Sequence, residues 1–206
     1  DFENNFVLDL INKNLIFLNT SGELYSINFE SQKINWVLNF KTTSLAGDTE
    51  LFLSQPLIIK NDNLIVSTEK SLLSYNSLTG IRNWILSSEP IFKPIITSSY
   101  IYAILKNDLL ICLDSTTGKV IWSKNIFKNV EYKKIQNKFG LIKDFKIVNG
   151  KINIYSKDGY LLSFNLRNGE YNSFTKISKR GINSKIIFLG DKMLLIDNSN
   201  KLLKFN

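Results

Sequence analysis

Leu110-Ile111-Cys112-Leu113-Asp114, then Ser115-Thr116-Thr117-Gly118, then Lys119-Val120-Ile121-Trp122-Ser123: this run from the middle of the chain decides the fold. An apolar strand ends on a carboxamide or carboxylate, a short turn closes on Gly, and a Trp stands four residues beyond it. The strand ending recurs as Leu24-Tyr25-Ser26-Ile27-Asn28, Leu72-Leu73-Ser74-Tyr75-Asn76, Leu161-Leu162-Ser163-Phe164-Asn165 and Leu202-Leu203-Lys204-Phe205-Asn206. The first residues of the five copies are separated by 48, 38, 51 and 41 positions. Repeats of roughly 40–50 residues built from short strands are what β-propeller blades look like in sequence.

Each unit holds its parts in one order. In the third, Pro94–Thr97, Ile101–Leu105, Leu109–Asp114 and Lys119–Ser123 read as four strands of Val, Ile, Leu and aromatics, with Asn, Asp, Gly and Ser at the breaks. The second repeats it around Thr79-Gly80 and Trp84; in the first, Gln32 takes the Gly place and Trp36 the Trp place. The fourth has Asn168-Gly169, with Tyr171 and Phe174 expected where the Trp would be. The Gly lets the chain reverse between third and outermost strands, and the Trp covers the neighbouring blade, burying ~150–250 Å². Trp36, Trp84 and Trp122 are therefore read as packing residues.

This repeat, Asp-Gly-x-Leu-x-x-x-Asn/Asp-x-x-x-Gly-x-x-x-Trp, resembles that of the PQQ-like propellers, a group that includes quinoprotein dehydrogenases and the BamB-like outer-membrane assembly lipoproteins. Near the end of the chain, Asn168-Gly169-Glu170-Tyr171, Asn183–Ile187, Asp191–Ile196 and Lys201–Asn206 resemble the last blade and a half of the BamB-like members. The expected fold is all-β: a propeller with four complete four-stranded blades and three strands of a fifth, in blades near 6–40, 56–88, 94–126, 143–177 and 183–206. All 206 residues are expected in one partial domain. The residues before 11 are needed for the first unit and no Met opens the chain, so the expectation is the C-terminal half of an eight-bladed propeller, with a self-contained five-bladed ring as the alternative.

The composition narrows the function. At 44 % hydrophobic and 12 % aromatic the chain can bury a core, yet no run approaches the ~18 apolar residues of a membrane helix. With no His, the common imidazole bases and zinc arrangements are unavailable, and the glycines stand singly rather than in a phosphate loop. The single Cys112 permits no internal disulfide and sits in a core pattern. Among the resemblances, a quinoprotein dehydrogenase would need calcium-ligating acids, a catalytic Asp and an adjacent-Cys disulfide. Asp114 and its Asn counterparts read instead as turn acceptors. No catalytic, cofactor or metal residue is assigned and no cofactor is expected.

The net charge of +8 is partly concentrated around one connector, at Lys124, Lys128, Lys133, Lys134, Lys138, Lys143 and Lys146, offset by Glu131 and Asp144. A solvated loop, a protein contact, or a nucleic-acid or membrane contact all fit that stretch, and Tyr132 and Phe139 follow no nucleic-acid motif. The connectors Lys41–Gln55 and Phe127–Ile142 are long while most turns are short, so the rim that carries them is expected to be the recognition surface. Phe52 and Leu53 read either as exposed anchors or as the start of a strand.

The resemblance carries further implications. Gly47-Asp48-Thr49-Glu50-Leu51 is similar to a run in the corresponding BamB-type loop, although that loop's acidic pair farther along has no counterpart here. It implies a non-enzymatic scaffold at the periplasmic face of the outer membrane, held to the membrane only by an upstream lipid anchor and binding no nucleic acid. Its implied partners are the periplasmic domains of the barrel-assembly protein (BamA-like) and unfolded outer-membrane proteins. The expected contact residues are Asp48, Glu50, Leu51, Phe52, Lys133, Lys134 and Phe139. The alternatives are a PQQ-dependent dehydrogenase fragment and a generic extracellular protein-binding propeller.

Overall fold

Apolar runs of five or six residues that do not alternate with polar ones need cover on both faces, and the sheets provide it. The computed structural model describes residues 5–40, 52, 54–128 and 132–205, with the backbone alone for 132–135. Four antiparallel sheets of four strands and one of three follow each other along the chain. The first is β1 (Phe6–Asp9), β2 (Asn14–Leu18), β3 (Glu23–Asn28) and β4 (Lys33–Asn39); the second is β5 (Ile58–Lys60), β6 (Asn63–Ser67), β7 (Leu72–Asn76) and β8 (Arg82–Leu86). The third holds β9 (Ile95–Ile96), β10 (Tyr100–Ile104), β11 (Leu109–Asp114) and β12 (Val120–Asn125). After helix α1 (Tyr132–Phe139) come β13 (Ile142–Val148), β14 (Lys151–Ser156), β15 (Tyr160–Asn165) and β16 (Tyr171–Lys176), and then β17 (Ile187–Leu189), β18 (Lys192–Ile196) and β19 (Leu202–Phe205). Meandering four-stranded sheets at this repeat are propeller blades, as expected.

The chain divides into two compact units, Asp1–Asn107 with Leu113–Ile121 and Asp108–Cys112 with Trp122–Asn206. In the first, the facing sides of the first and second sheets share one core of Ile16, Leu18, Leu24, Leu57, Leu64, Val66, Leu73 and Tyr75. In the second, Tyr155, Ile182, Ile186 and Leu195 form a smaller core between the fourth and fifth sheets. Middle strands such as β6 and β7 are buried along nearly their whole length, whereas the outermost β4 is mostly exposed.

The register explains the small third position of the repeat. Ser26 pairs with Trp36 and Ser74 with Trp84, so each Ser lies on the face from which the indole departs toward the next blade. Ser26, Ser74, Cys112 and Ser163 are all buried. A bulge on the outer strand follows each pair, and the extra residue is an Asn. Asn35 Nδ2 donates to Ser26 Oγ (3.2 Å) and Asn14 Oδ1 (2.9 Å), and Asn83 repeats this with Ser74 Oγ (3.1 Å) and Asn63 Oδ1 (3.2 Å). Each bulge thus satisfies buried polar groups that its own irregularity would otherwise strand.

Each Trp seats on the turn glycine of the following blade. A Cβ on Gly80 would lie 2.9 Å from Trp36 Cδ2, one on Gly118 2.5 Å from Trp84 Cδ2, and one on Gly169 2.6 Å from Trp122 Cε3. Trp36 Nε1 donates to the Ser77 carbonyl (3.0 Å) and Trp84 Nε1 to the Ser115 carbonyl (3.1 Å). The glycine serves two ends: it takes a positive φ and leaves room for the indole. Gln32 holds the same left-handed conformation at φ 55°. In the fourth blade the expectation for Tyr171 and Phe174 is corrected. Ser163 pairs with Ser173, four residues after Gly169, and Tyr171 pairs with Phe164 across the bulge. Ser173 therefore holds the Trp place.

Gly118→Ala combines a strained left-handed residue, ~1–2 kcal/mol, with an overpacked indole, about 1–3 kcal/mol more. Gly150, at φ 70° with nothing within 4 Å of its would-be Cβ, meets only the first cost on Gly150→Ala. Urea denaturation should rank Gly118→Ala clearly below Gly150→Ala; equal losses would remove the close-packing role.

Candidate functional site

Strands of a meander alternate in direction, so the connector into each blade enters at the end that also holds the turn between its second and third strands. In the first unit that end carries the connector between β4 and β5. Its described residues are fastened at both sides. Phe40 stacks on Phe52 (5.7 Å, 17°) and meets Tyr75 edge-on (5.9 Å). Phe52 N–H donates to the Thr20 carbonyl (2.9 Å), Gln55 N–H to Ser67 (3.0 Å), and Asn5 Nδ2 to Ser54 Oγ. Phe52 is thus partly buried against the core and outside any strand, so neither expectation for it stands as written: it is a seat for the loop. Asp48, Glu50, Leu51 and Leu53 lie outside the described residues.

Beside this connector is a shallow recess of about 180 Å³ lined by Ser54, Gln55, Thr68, Glu69, Glu89 and Pro90. Lys106 Nζ closes on Glu89 Oε2 at 2.9 Å, and that hydrogen bond first, then the carboxylate's charge, holds the ammonium above its ordinary range.

In the second unit, the connector between β12 and β13 contains helix α1, a helix that the sequence pattern does not announce. The helix ends on Gly140, at φ 68°, whose N–H bonds back to the Gln136 carbonyl (3.3 Å). A Cβ there would strike Asp158. Phe139 is completely buried, edge-on to Phe127 (5.8 Å) and tilted against Phe174 (6.4 Å). Phe174 in turn stacks on Tyr160 (4.9 Å), over which Lys176 Nζ sits at 3.9 Å. Phe139 offers no surface to a partner; it is the bolt that holds α1 down.

The lysines expected around this connector separate. Lys146 Nζ reaches both carboxylate oxygens of Asp144 (3.1 Å), Oδ2 also accepts the Ile186 N–H (3.1 Å), and the Lys124 stem packs over Gly169. Lys128 and Lys138 remain exposed. Lys133 and Lys134 fall within α1, described there by backbone alone.

The repeat acids are occupied by their own turns. Asp114 Oδ1 accepts from Thr117 N–H (2.7 Å), Thr117 Oγ1 (2.8 Å) and Thr116 N–H (3.1 Å), which hold its carboxyl below the ordinary range. Asp197 is held down likewise, first by Lys201 N–H and then by Ser199 N–H. Asn28, Asn76 and Asn165 accept from the equivalent N–H groups in their blades. Among the described residues, no three Cys, Asp or Glu side chains gather as a metal group.

The family model described as outer membrane protein assembly factor BamB matches residues 9–206. No curated protein matches the chain. Among solved structures, BamB from Moraxella catarrhalis superposes with a TM-score of 0.65 at 18 % identity, over 98 % of this chain and 57 % of that one. The chain thus spans a little over half the length of that structure. The computationally designed Ika4 protein matches at TM-score 0.56 and 10 % identity over 82 % of this chain and 98 % of its own; the designed Ika8 protein matches at 0.57 and 9 % over 97 % and 69 %.

Phe139→Ala should cost ~3–5 kcal/mol as a buried aromatic truncation, while Lys138→Ala should stay within about 0.5 kcal/mol. Urea midpoints compare the two, and a silent Phe139→Ala would mean α1 is not fastened there. A carboxyl whose pKa is lowered by folding stabilises the fold above the unfolded value near ~3.9, and that contribution is lost as pH falls through the lower folded value. Asp114→Asn keeps the acceptor and removes the charge, so its stability profile should be flatter below about pH 4, with Asp197 retaining the residual slope. An unchanged slope would separate Asp114 from acid unfolding.

Proposed function

From the premise that this chain belongs to the family of outer membrane protein assembly factor BamB, we propose that it is a non-catalytic scaffold of outer-membrane β-barrel assembly. Its blades, read as one partial propeller domain, hold recognition segments rigidly while no bond is made or broken. The partner is the periplasmic part of the barrel-assembly protein, with unfolded outer-membrane proteins as further clients. The working place is the periplasmic face of the outer membrane, reached through a lipid anchor upstream.

One observation carries the choice of surface. Both long connectors are seated by buried or stacked aromatics, Phe40 with Phe52 in one and Phe139 between Phe127 and Phe174 in the other. Fixing the base of a connector sets where it leaves the blades, which is one form of the preorganisation that lowers the cost of binding. Asp48, Glu50 and Leu51 in the first connector and Lys133 and Lys134 in the second are the contact residues of this reading. Charged residues at such a rim steer encounter and fix register more than they supply affinity.

The test is capture by immobilised periplasmic domains of the barrel-assembly protein. Lys133→Glu with Lys134→Glu, and separately Asp48→Lys with Glu50→Lys, should each weaken capture about tenfold, ~1.4 kcal/mol. If neither pair changes capture, the connectors are not the binding surface. Stoichiometric uptake of PQQ and calcium, followed by absorbance and calorimetry, would overturn the non-catalytic reading.

A further inference from the structure

The two ends of the blades in the first unit differ in chemistry. At the end opposite the long connector, the turn between the first and second strands is bonded to the turn between the third and fourth: Phe29 N–H donates to the Lys13 carbonyl (2.9 Å), and Ser77 N–H to Asp62 (2.8 Å). The Trp36 bond to the Ser77 carbonyl and the Trp84 bond to the Ser115 carbonyl then tie each blade to the next at this level. The result is one continuous rim of paired turns.

Large aliphatic side chains stand out from those turns. Leu10 is 73 % exposed and Ile11 91 %, at the tip of the β1–β2 turn, with Phe29 exposed in the turn beside it. On the second blade Leu78 is exposed and Ile81 is 66 % exposed. That blade has neighbours on both sides within the unit, so its exposure owes nothing to an uncovered face. The turns at the other end, Thr20–Gly22 and Thr68–Ser71, carry no large apolar residue.

The charge accompanies the aliphatics. Lys33, Arg82 and Lys119 are exposed beside the outer-strand starts of three successive blades and form no ion pair among the described residues. The acids at this end are mostly engaged: Asp9 accepts from Asn12, Asp114 from its own turn, and Glu30 pairs with Lys13 at 2.8 Å. Asp62 is exposed, and the outward balance stays positive. The crevice at this end, lined by Lys60, Asn61 and Thr97 among others, holds only about 10 Å³, too little for a partner's anchoring side chain.

We propose that this rim docks on an anionic lipid surface, with Ile11 and Ile81 entering the boundary between headgroups and acyl chains and Lys33, Arg82 and Lys119 meeting lipid phosphates. Separated, protruding aliphatics need a soft acceptor that tolerates any spacing, which a bilayer interface is. Each cation at an anionic leaflet adds attraction that fades within a Debye length. This proposal is independent of the protein partner above, since it concerns the other end of the blades.

The test is co-sedimentation of the chain with extruded vesicles of equimolar phosphatidylcholine and phosphatidylglycerol, against phosphatidylcholine alone, at low and high salt. Binding should require the anionic lipid and weaken with salt. Arg82→Glu should reduce it by more than about fivefold, the effect expected for losing one surface cation. Ile11→Ser with Ile81→Ser should reduce it about tenfold. Both carry exposed side chains, and matched circular dichroism and melting curves confirm folding. Lys70→Glu, the same charge change at the opposite end of the second blade, should leave binding intact. No binding to the anionic vesicles, binding indifferent to the Ile substitutions, or an equal loss from Lys70→Glu would each overturn the proposal.

Discussion

The contact between an indole and a bare glycine on the next blade is the constraint on which the rest depends. A four-stranded sheet cannot bury both faces by itself, so each blade needs its neighbours placed at a fixed distance. Trp36 on Gly80, Trp84 on Gly118 and Trp122 on Gly169 set that distance, because a single Cβ would collide with the ring. The Nε1 bonds of Trp36 and Trp84 to turn carbonyls fix the height of the contact as well. Specificity here comes from an absence of atoms on one side and a directional donor on the other.

From that spacing follows a division of labour within each blade. Middle strands are consumed by packing, and their polar positions, Ser26 and Ser74, are satisfied by the Asn of a bulge. Turn carboxylates such as Asp114 and Asp197 are consumed by their own N–H groups. Beyond the exposed outer strands, the side chains that remain available lie at the two ends of the blades, and in the first unit those ends have different chemistry. One holds long connectors pinned by aromatics; the other holds aliphatics and cations on short turns. A scaffold with dissimilar ends can face two different environments at once.

Much of this was legible in the residues. The spacing of the Leu-Leu-x-x-Asn endings, the turn glycines and the three tryptophans led to a propeller of PQQ-like blades, and Trp as a packing residue follows from its place after the turn. The fourth blade was misread at one point: two aromatics, Tyr171 and Phe174, drew attention from Ser173. Counting four residues from Gly169 would have found it, because the same bulge follows that position in the first, second and fourth blades. Helix α1 escapes a sequence reading because Tyr132–Phe139 is short and rich in Lys, and its one decisive signal, Phe139 before Gly140, resembles an exposed aromatic in a basic loop.

The repeat, the strand order and the turn chemistry are written in the residues themselves, since each rests on interactions within a few dozen residues: alternation of strand and turn, positive φ at a Gly, a carboxamide over the N–H groups that follow it. Tertiary structure alone decided which exposed-looking residues are buried and which end of each blade carries which chemistry. Phe139 and Phe52 turn inward because Phe127, Phe174 and Phe40, distant in the chain or set across a loop, come to meet them. Ile11 and Ile81 point to solvent because the turns that carry them are tied edge to edge, and among the described residues no element covers them. Burial is a property of neighbours, and the neighbours are chosen only when the blades stack.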